Sequence, residues 1–290
     1  MIQMLWVELL VSGIMLGGVY ALLALGLNLI FGVMGVVNFA HGEFLMIGAM
    51  LTAWLSVTHG VNPIIGTIAA VLVMGIAGGF VHRTLIERLT TVPPVMSLLA
   101  TYGLSIILVN VAYLIWGGST ISVSGFLKGS IDLGIMTVPS NRALTFAVAT
   151  LATLCLYLFL RFNALGKSLR AVSQDQTLAV LCGVNARLVR VITFAIGSAL
   201  AGLAGGLLTI LFTADFQMGE RFVIKAFAII IIGGLGSFPG ALLGGLMVGI
   251  VEVVGSYVTA PTAANALIYL LMIAILLFRP KGLLGVRSSI

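Results

Sequence analysis

Asn38, His41 and Glu43 fall within one short run, Val37-Asn-Phe-Ala-His-Gly-Glu-Phe, and the residues on both sides are apolar. An amide, an imidazole and a carboxylate this close can bond to one another, cap a helix end or meet the polar part of a small molecule. A charged group in hydrocarbon costs at least about 2.5 kcal/mol, so these side chains must face a cavity, a partner helix or each other. Gly35 and Gly42 flank them and predict a broken helix, whose half-helix ends direct their dipoles at a substrate in membrane transporters. Two readings stand: the group borders a translocation path, or it seals the break. A second place of this kind is Ile232-Gly-Gly-Leu-Gly-Ser-Phe-Pro-Gly, where Gly236 and Ser237 stand among glycines ahead of Pro239. Interruptions near opposite ends of a chain, each between apolar runs, point to a path built around both. The candidate path residues are therefore Asn38, His41, Glu43, Gly236 and Ser237. Glu252 is a further acid in an apolar run, at membrane depth or at the interface.

Other chemistry is excluded. Ala164-Leu-Gly-Lys-Ser ends like a phosphate-binding loop, but Arg161 stands where G-x-x-x-x-G-K-[ST] needs glycine, and a membrane span rather than a strand precedes it. His41, His59 and His82 lie in separate segments without metal-ligand spacing. Neither a cysteine cluster nor a serine elbow is present. ATP, Mg2+ and a resident metal are not expected on this chain.

The elements that must position these residues are membrane helices. The chain is 61% hydrophobic and only 8% charged, with a mean hydropathy of +1.25; a soluble domain carries about 25% charged residues. This predicts an all-α, polytopic integral membrane bundle, a single domain over residues 1–290. Spans of about 20 residues allow roughly eight or nine passes, some interrupted. Apolar runs predict spans at 9–32, 36–57, 64–81, 95–116, 143–160, 191–213 and 263–278, with 222–255 folded into two passes at Gly236–Pro239. Residues 117–142 read as a short hairpin or irregular cap. The N-terminus, MIQMLWVELL, lacks a basic region and carries Glu8, so no signal-peptide pattern is expected there. Gly13/Gly17, Gly75/Gly79 and Gly202/Gly206 repeat at the four-residue spacing that lets helices approach closely in lipid.

Charge orients the spans. The net charge of +6 sits in loops between apolar runs, which argues against nucleic acid as a partner. The segments 82–94, 161–190 and the tail with Arg279, Lys281 and Arg287 are basic and predict the cytoplasmic side. Residues 58–63, 117–142 (Lys128, Asp132, Arg142) and 214–221 then lie outside, as does the N-terminus, with the C-terminus inside. Residues 161–190 hold five of the 14 basic residues, Arg170 among them, against the single acid Asp175. Leu169, Val172, Leu178, Leu181 and Val184 recur at roughly helical spacing there, and Gly183 breaks the run. A folded basic loop with apolar positions predicts a docking element for a cytoplasmic protein.

Three stretches together carry a resemblance. Gly17-Gly-Val-Tyr-Ala-Leu-Leu-Ala-Leu-Gly-Leu-Asn-Leu-Ile-Phe-Gly running into Val37-Asn-Phe-Ala-His-Gly-Glu-Phe resembles the N-terminal signature of LivH-type permeases, membrane subunits of ABC importers for branched-chain amino acids. Gly166-Lys-Ser-Leu-Arg-Ala-Val-Ser-Gln-Asp through Val184-Asn resembles that family's cytoplasmic coupling loop, with Ala179 and Gly183 at the alanine and glycine positions. Thr177 and Leu178 occupy the region of the usual acid. Ile232-Gly-Gly-Leu-Gly-Ser-Phe-Pro-Gly-Ala and Phe278-Arg-Pro-Lys-Gly-Leu-Leu-Gly complete the match. The resemblance implies a bacterial inner-membrane permease paired with a LivM-like second permease. It also implies two cytoplasmic ATPases that carry ATP and Mg2+, and a periplasmic binding protein. It casts Arg170, Asp175, Ala179 and Gly183 as the coupling residues. Related permeases serve urea and short-chain amides. An ion-coupled secondary transporter, with Glu43 and Glu252 as its carboxylates, is the rival from another class; a membrane enzyme finds no catalytic constellation.

Overall fold

The computed structural model describes residues 2–90, 92–123, 127, 129–132 and 137–285. Lys128 and Arg287, counted above among the loop charges, lie outside the described residues, as do 133–136 in the expected hairpin and 286–290 in the tail.

The first helix, α1 (Ile2–Met34), ends at Gly35, whose φ of 65° suits glycine. A non-helical stretch leads into α2 (His41–His59), which ends at left-handed Gly60. Asn62 accepts a hydrogen bond from Ile64 N and Pro63 opens α3 (Pro63–Val81), two features that fix a helix start. α3 continues through a π-helical turn, His82–Ile86, into the short α4 (Glu87–Leu89). The sequence reading placed a loop from residue 82 onward. The helix persists to Leu89, where Glu87 is tied to the start of a later helix, with Arg190 Nη2 2.6 Å from its Oε1.

Next come α5 (Pro94–Trp116), the strands β1 (Ser130–Asp132) and β2 (Thr137–Pro139), and α6 (Ser140–Phe162). The strands pair antiparallel with Ile131 opposite Val138, so the expected hairpin forms. The chain continues with α7 (Ala164–Gln174), α8 (Gln176–Leu181), α9 (Ala186–Leu211), α10 (Met218–Gly233), α11 (Phe238–Val258) and α12 (Pro261–Phe278). The apolar run 222–255 is thus two helices, parted at residues 234–237. Among the described residues, seven helical stretches are long and apolar enough to cross a membrane. α2, which opens with His41 and Glu43, and α10, shorter at 16 residues, complete the bundle.

Glycine governs the packing. Between helices in lipid, close backbone approach takes the place of the hydrophobic effect. Gly13 and Gly17 of α1 lie against α11: a Cβ on Gly17 would stand 2.8 Å from the Gly245 carbonyl oxygen, and one on Gly13 2.7 Å from Ile250 Cα. Gly202 and Gly206 of α9 fit against Met74 and Thr67 of α3 in the same way. These contacts make α1 and α9 the centre. About two-thirds of their most apolar stretches are buried, 67% each, against 11% for α5 and α12, whose Leu99, Ile106, Leu270 and Leu277 face outward.

The bundle has two distinct ends. One gathers α4, α7, α8, the start of α9 and the tail, which returns so that Leu283 N donates to Ile232 O. The other gathers the hairpin region and the 212–217 turn, joined by a bridge between Ile121 and Ala214.

Candidate functional site

The first break, residues 35–40, is held from two sides. Thr101 of α5 accepts from Phe39 N at 3.2 Å and donates to Val37 O at 3.0 Å, fixing the non-helical backbone. His41 Nε2 lies 3.2 Å from Leu23 O on α1; a carbonyl only accepts, so Nε2 carries the proton. Glu43 Oε1 accepts from Ser105 Oγ at 2.9 Å. Asn38, His41 and Glu43 are almost wholly enclosed, at 0%, 0% and 1% exposure. Asn38 Oδ1 and Nδ2, His41 Nδ1 and Glu43 Oε2 find no partner among the described residues. Such atoms are costly at membrane depth. The enclosure comes from α10, since Gly42 abuts the Gly219 carbonyl and Gly219 abuts the Glu43 carboxylate.

The second break is closed by one side chain that the sequence reading did not single out. Asn28 of α1 donates from Nδ2 to Ser237 O at 3.0 Å and accepts from Gly236 N at 2.8 Å. Gly234 and Gly236 take φ of 108° and 78°, and Ser237 Oγ accepts from Gly240 N to cap α11. Gly236 and Asn28 also face a cavity of about 1000 Å³ that reaches Arg170 and Gln174 of α7. The two breaks do not touch in the contacts described. Both fasten to α1, between Leu23 and Asn28, and Gly26 lies beside the His41 ring.

The segment 161–190 is two helices rather than one. Asn163 caps α7, and Asp175 ends it and caps α8 by accepting from Leu178 N at 2.9 Å. The cap breaks the helical phase, so the apolar positions divide. Leu169 and Val172 are buried with Ala179, Ala186 and Val189, while Leu178, Val180 and Leu181 stand out at 60%, 51% and 78% exposure. Gly183 turns the chain at φ 84° and Asn185 caps α9. Arg170 is exposed on the cavity rim. Of the predicted coupling residues, Asp175, Ala179 and Gly183 shape the segment, and its exposed apolar surface is carried by three residues beside them.

A further polar cluster lies at the other end. Lys225 Nζ of α10 is 2.8 Å from both carboxylate oxygens of Glu252 on α11, and Tyr20 donates to Glu252 Oε1 at 3.0 Å. Lys225 and Tyr20 were not singled out from the sequence. The available signal was a lysine within an apolar run that also holds Glu252, since an isolated cation at that depth needs a partner.

The family model for the permease component of branched-chain amino acid transport systems matches residues 9–276. The chain belongs to that family. It is 31% identical to the LivH permease of the high-affinity branched-chain amino acid transport system of Escherichia coli K12, over 94% of each chain. It is 32% identical to the BraD permease of Pseudomonas aeruginosa, over 97% of this chain and 96% of that one. Against the LivM permease of Escherichia coli K12 it is 27% identical, over 92% of this chain and 68% of that protein. No solved structure matches the chain. Both breaks, the segment 161–190 and the Lys225–Glu252 pair fall inside the region shared with the permease family. What the arrangement offers is transport chemistry: polar groups at two helix interruptions, anchored on one central helix of a multi-pass membrane bundle.

Proposed function

We propose that this chain is one of two permease subunits of an ATP-driven importer for branched-chain amino acids, in the inner membrane of a bacterium. A LivM-like permease is its membrane partner; the likeness to both LivH and LivM supports that pairing. Two cytoplasmic ATPases supply ATP and Mg2+, and a periplasmic protein delivers the substrate. The N-terminus lies outside and the C-terminus in the cytoplasm, which places Arg83, Arg88, Arg187 and Arg190 on the inner side. The path runs beside the α1 turn to which both breaks are fastened. Gly236 and Ser237 border it at the large cavity, and Asn38, His41 and Glu43 reach it when α2 and α10 part at the Gly42–Gly219 contact.

The observation that carries the proposal is the segment 164–185. It is folded, capped and basic, and it presents Leu178, Val180 and Leu181 to the surroundings beyond the membrane helices, where exposed apolar side chains call for a protein partner. Arg170, Asp175, Ala179 and Gly183 form and frame that ATPase-docking surface.

The test is Gly183→Pro alongside Arg170→Glu. Proline holds φ near −65° and lacks the N–H that Gly183 donates to Val180 O, so it cannot keep the turn. Both variants insert normally and lose coupling between ATP hydrolysis and uptake. Wild-type recovery of the ATPases together with normal uptake in both variants refutes the proposal. A reporter fused after residue 290 is active on the cytoplasmic side; activity confined to the periplasm overturns the orientation.

A further inference from the structure

We infer that the Lys225–Glu252 pair is a reception site for the charged head group of a zwitterionic α-amino acid. The inference rests on the importer reading and gives that reading a place where substrate is recognised. The pair is completely satisfied within the protein: Lys225 Nζ reaches both Glu252 oxygens at 2.8 Å, and Tyr20 OH holds Oε1 at 3.0 Å. A pair serving only to join α10 to α11 needs no open space beside it. This pair instead forms the wall of a cavity of about 330 Å³, and its two side chains keep 11% and 15% exposure.

The cavity has further polar groups. Tyr269 lines it, as does Asn265, whose Oδ1 has no partner among the described residues. Phe212, Met218 and Phe222 supply apolar wall for an aliphatic side chain. The cavity lies by the 212–217 turn and the first turns of α10, at the end of the bundle away from α7 and α8.

Charge balance selects the ligand class. An incoming anion alone would take Lys225 and leave Glu252 as an unpaired buried charge; a cation alone would do the reverse. A neutral amide cannot replace either ionic bond. A zwitterion exchanges both at once: its carboxylate pairs with Lys225, its ammonium with Glu252, and the net charge of the site is unchanged. Lys225 keeps the faces of Tyr20 and Phe222, 5.4 and 5.3 Å from Nζ, and Glu252 keeps the Tyr20 hydroxyl throughout. Because ligand competes with the internal pair, binding is weak, as a site that must release its cargo requires.

The experiment uses the assembled complex with its second permease and ATPases, in membranes. Thr213, exposed on the cavity lining, is changed to Cys in a Cys155→Ser/Cys182→Ser background, and alkylation by a small thiol reagent is timed. Leucine slows the alkylation; leucinamide and 4-methylpentanoate, which carry one charge each, need at least about tenfold higher concentration for the same protection. Lys225→Met/Glu252→Gln removes both charges together, leaves the complex assembled and abolishes protection by leucine. Asn265→Leu leaves the pair intact and also raises the half-protecting concentration, which guards against a double variant that fails to assemble. Equal protection by the single-charge analogues, or protection unchanged in either variant, overturns the site. ATP-driven leucine accumulation is measured on the same preparation. Accumulation by the unmutated complex without protection overturns the pocket alone; no accumulation overturns the importer reading beneath it.

Discussion

The two helix breaks share an anchor and differ in how they are satisfied. At residues 234–237, one amide, Asn28, pairs with both Gly236 N and Ser237 O, and the tail adds Leu283 N to Ile232 O and Leu284 N to Gly233 O. That break carries no ionisable side chain and borders a cavity. At residues 35–40 the backbone is held by Thr101, but the side chains around it are the costly ones, several of their atoms are unpaired, and glycine contacts shut them in. The second break is a joint whose Asn28 and Ser237 side chains are both paired. The first stores unpaired polarity behind a contact between two glycines. We propose that this polarity borders the path rather than only sealing the break.

Substitutions sharpen this contrast in order of their effect on the folded complex. Gly42→Ala has the largest. Its Cβ would fall onto the Gly219 carbonyl and 2.7 Å from Val223 Cβ, a contact that backbone cannot relieve. A cost of about 1–3 kcal/mol or more is expected, seen as lost assembly after purification, while Gly103→Ala, with nothing within 4 Å, assembles normally. Asn28→Leu follows. It leaves Gly236 N–H unpaired at about 1–3 kcal/mol, while Ser237 C=O keeps the bond from Ala241 N, and it lowers the melting temperature of the complex more than Thr101→Val does at the other break. Gly236→Ala is milder, because only its φ of 78° opposes a side chain and the space around it is open; about 1–2 kcal/mol is expected, read from the same melting curves. Asn38→Ala and Glu43→Gln change the amount of complex least and uptake per complex most. Wild-type uptake per complex in both, or a loss of complex with normal uptake in what remains, would make the first break a seal and erase the functional difference between the two regions.

The sequence made the helices legible because their signal is composition over about 20 residues. The spans at 64–81, 95–116 and 263–278 fall within a residue or two of α3, α5 and α12. The breaks were legible from Gly35 and from Gly236–Pro239, and Glu43 from its cost in hydrocarbon, whereas Gly42, expected to flank the first break, lies inside α2 against Gly219. Asn28 was not, since a single amide in an apolar helix gives no sign of reaching a backbone 208 residues away. Lys225 was hidden for the same reason: its partner lies 27 residues on, across the second break. The division of the 161–190 segment escaped periodicity because the Asp175 cap restarts the helix. Leu178 and Leu181 therefore left the face that Leu169 and Val172 occupy.

The central claim is that this bundle moves its substrate with energy from docked ATPases. The direct measurement is leucine accumulation in proteoliposomes holding this chain, the LivM-like permease, the two ATPases and the binding protein. Accumulation against a gradient that requires ATP, survives collapse of proton and sodium gradients and disappears with Gly183→Pro is the predicted result. Accumulation that proceeds without ATP or the ATPases and fails when an ion gradient is collapsed would contradict the account.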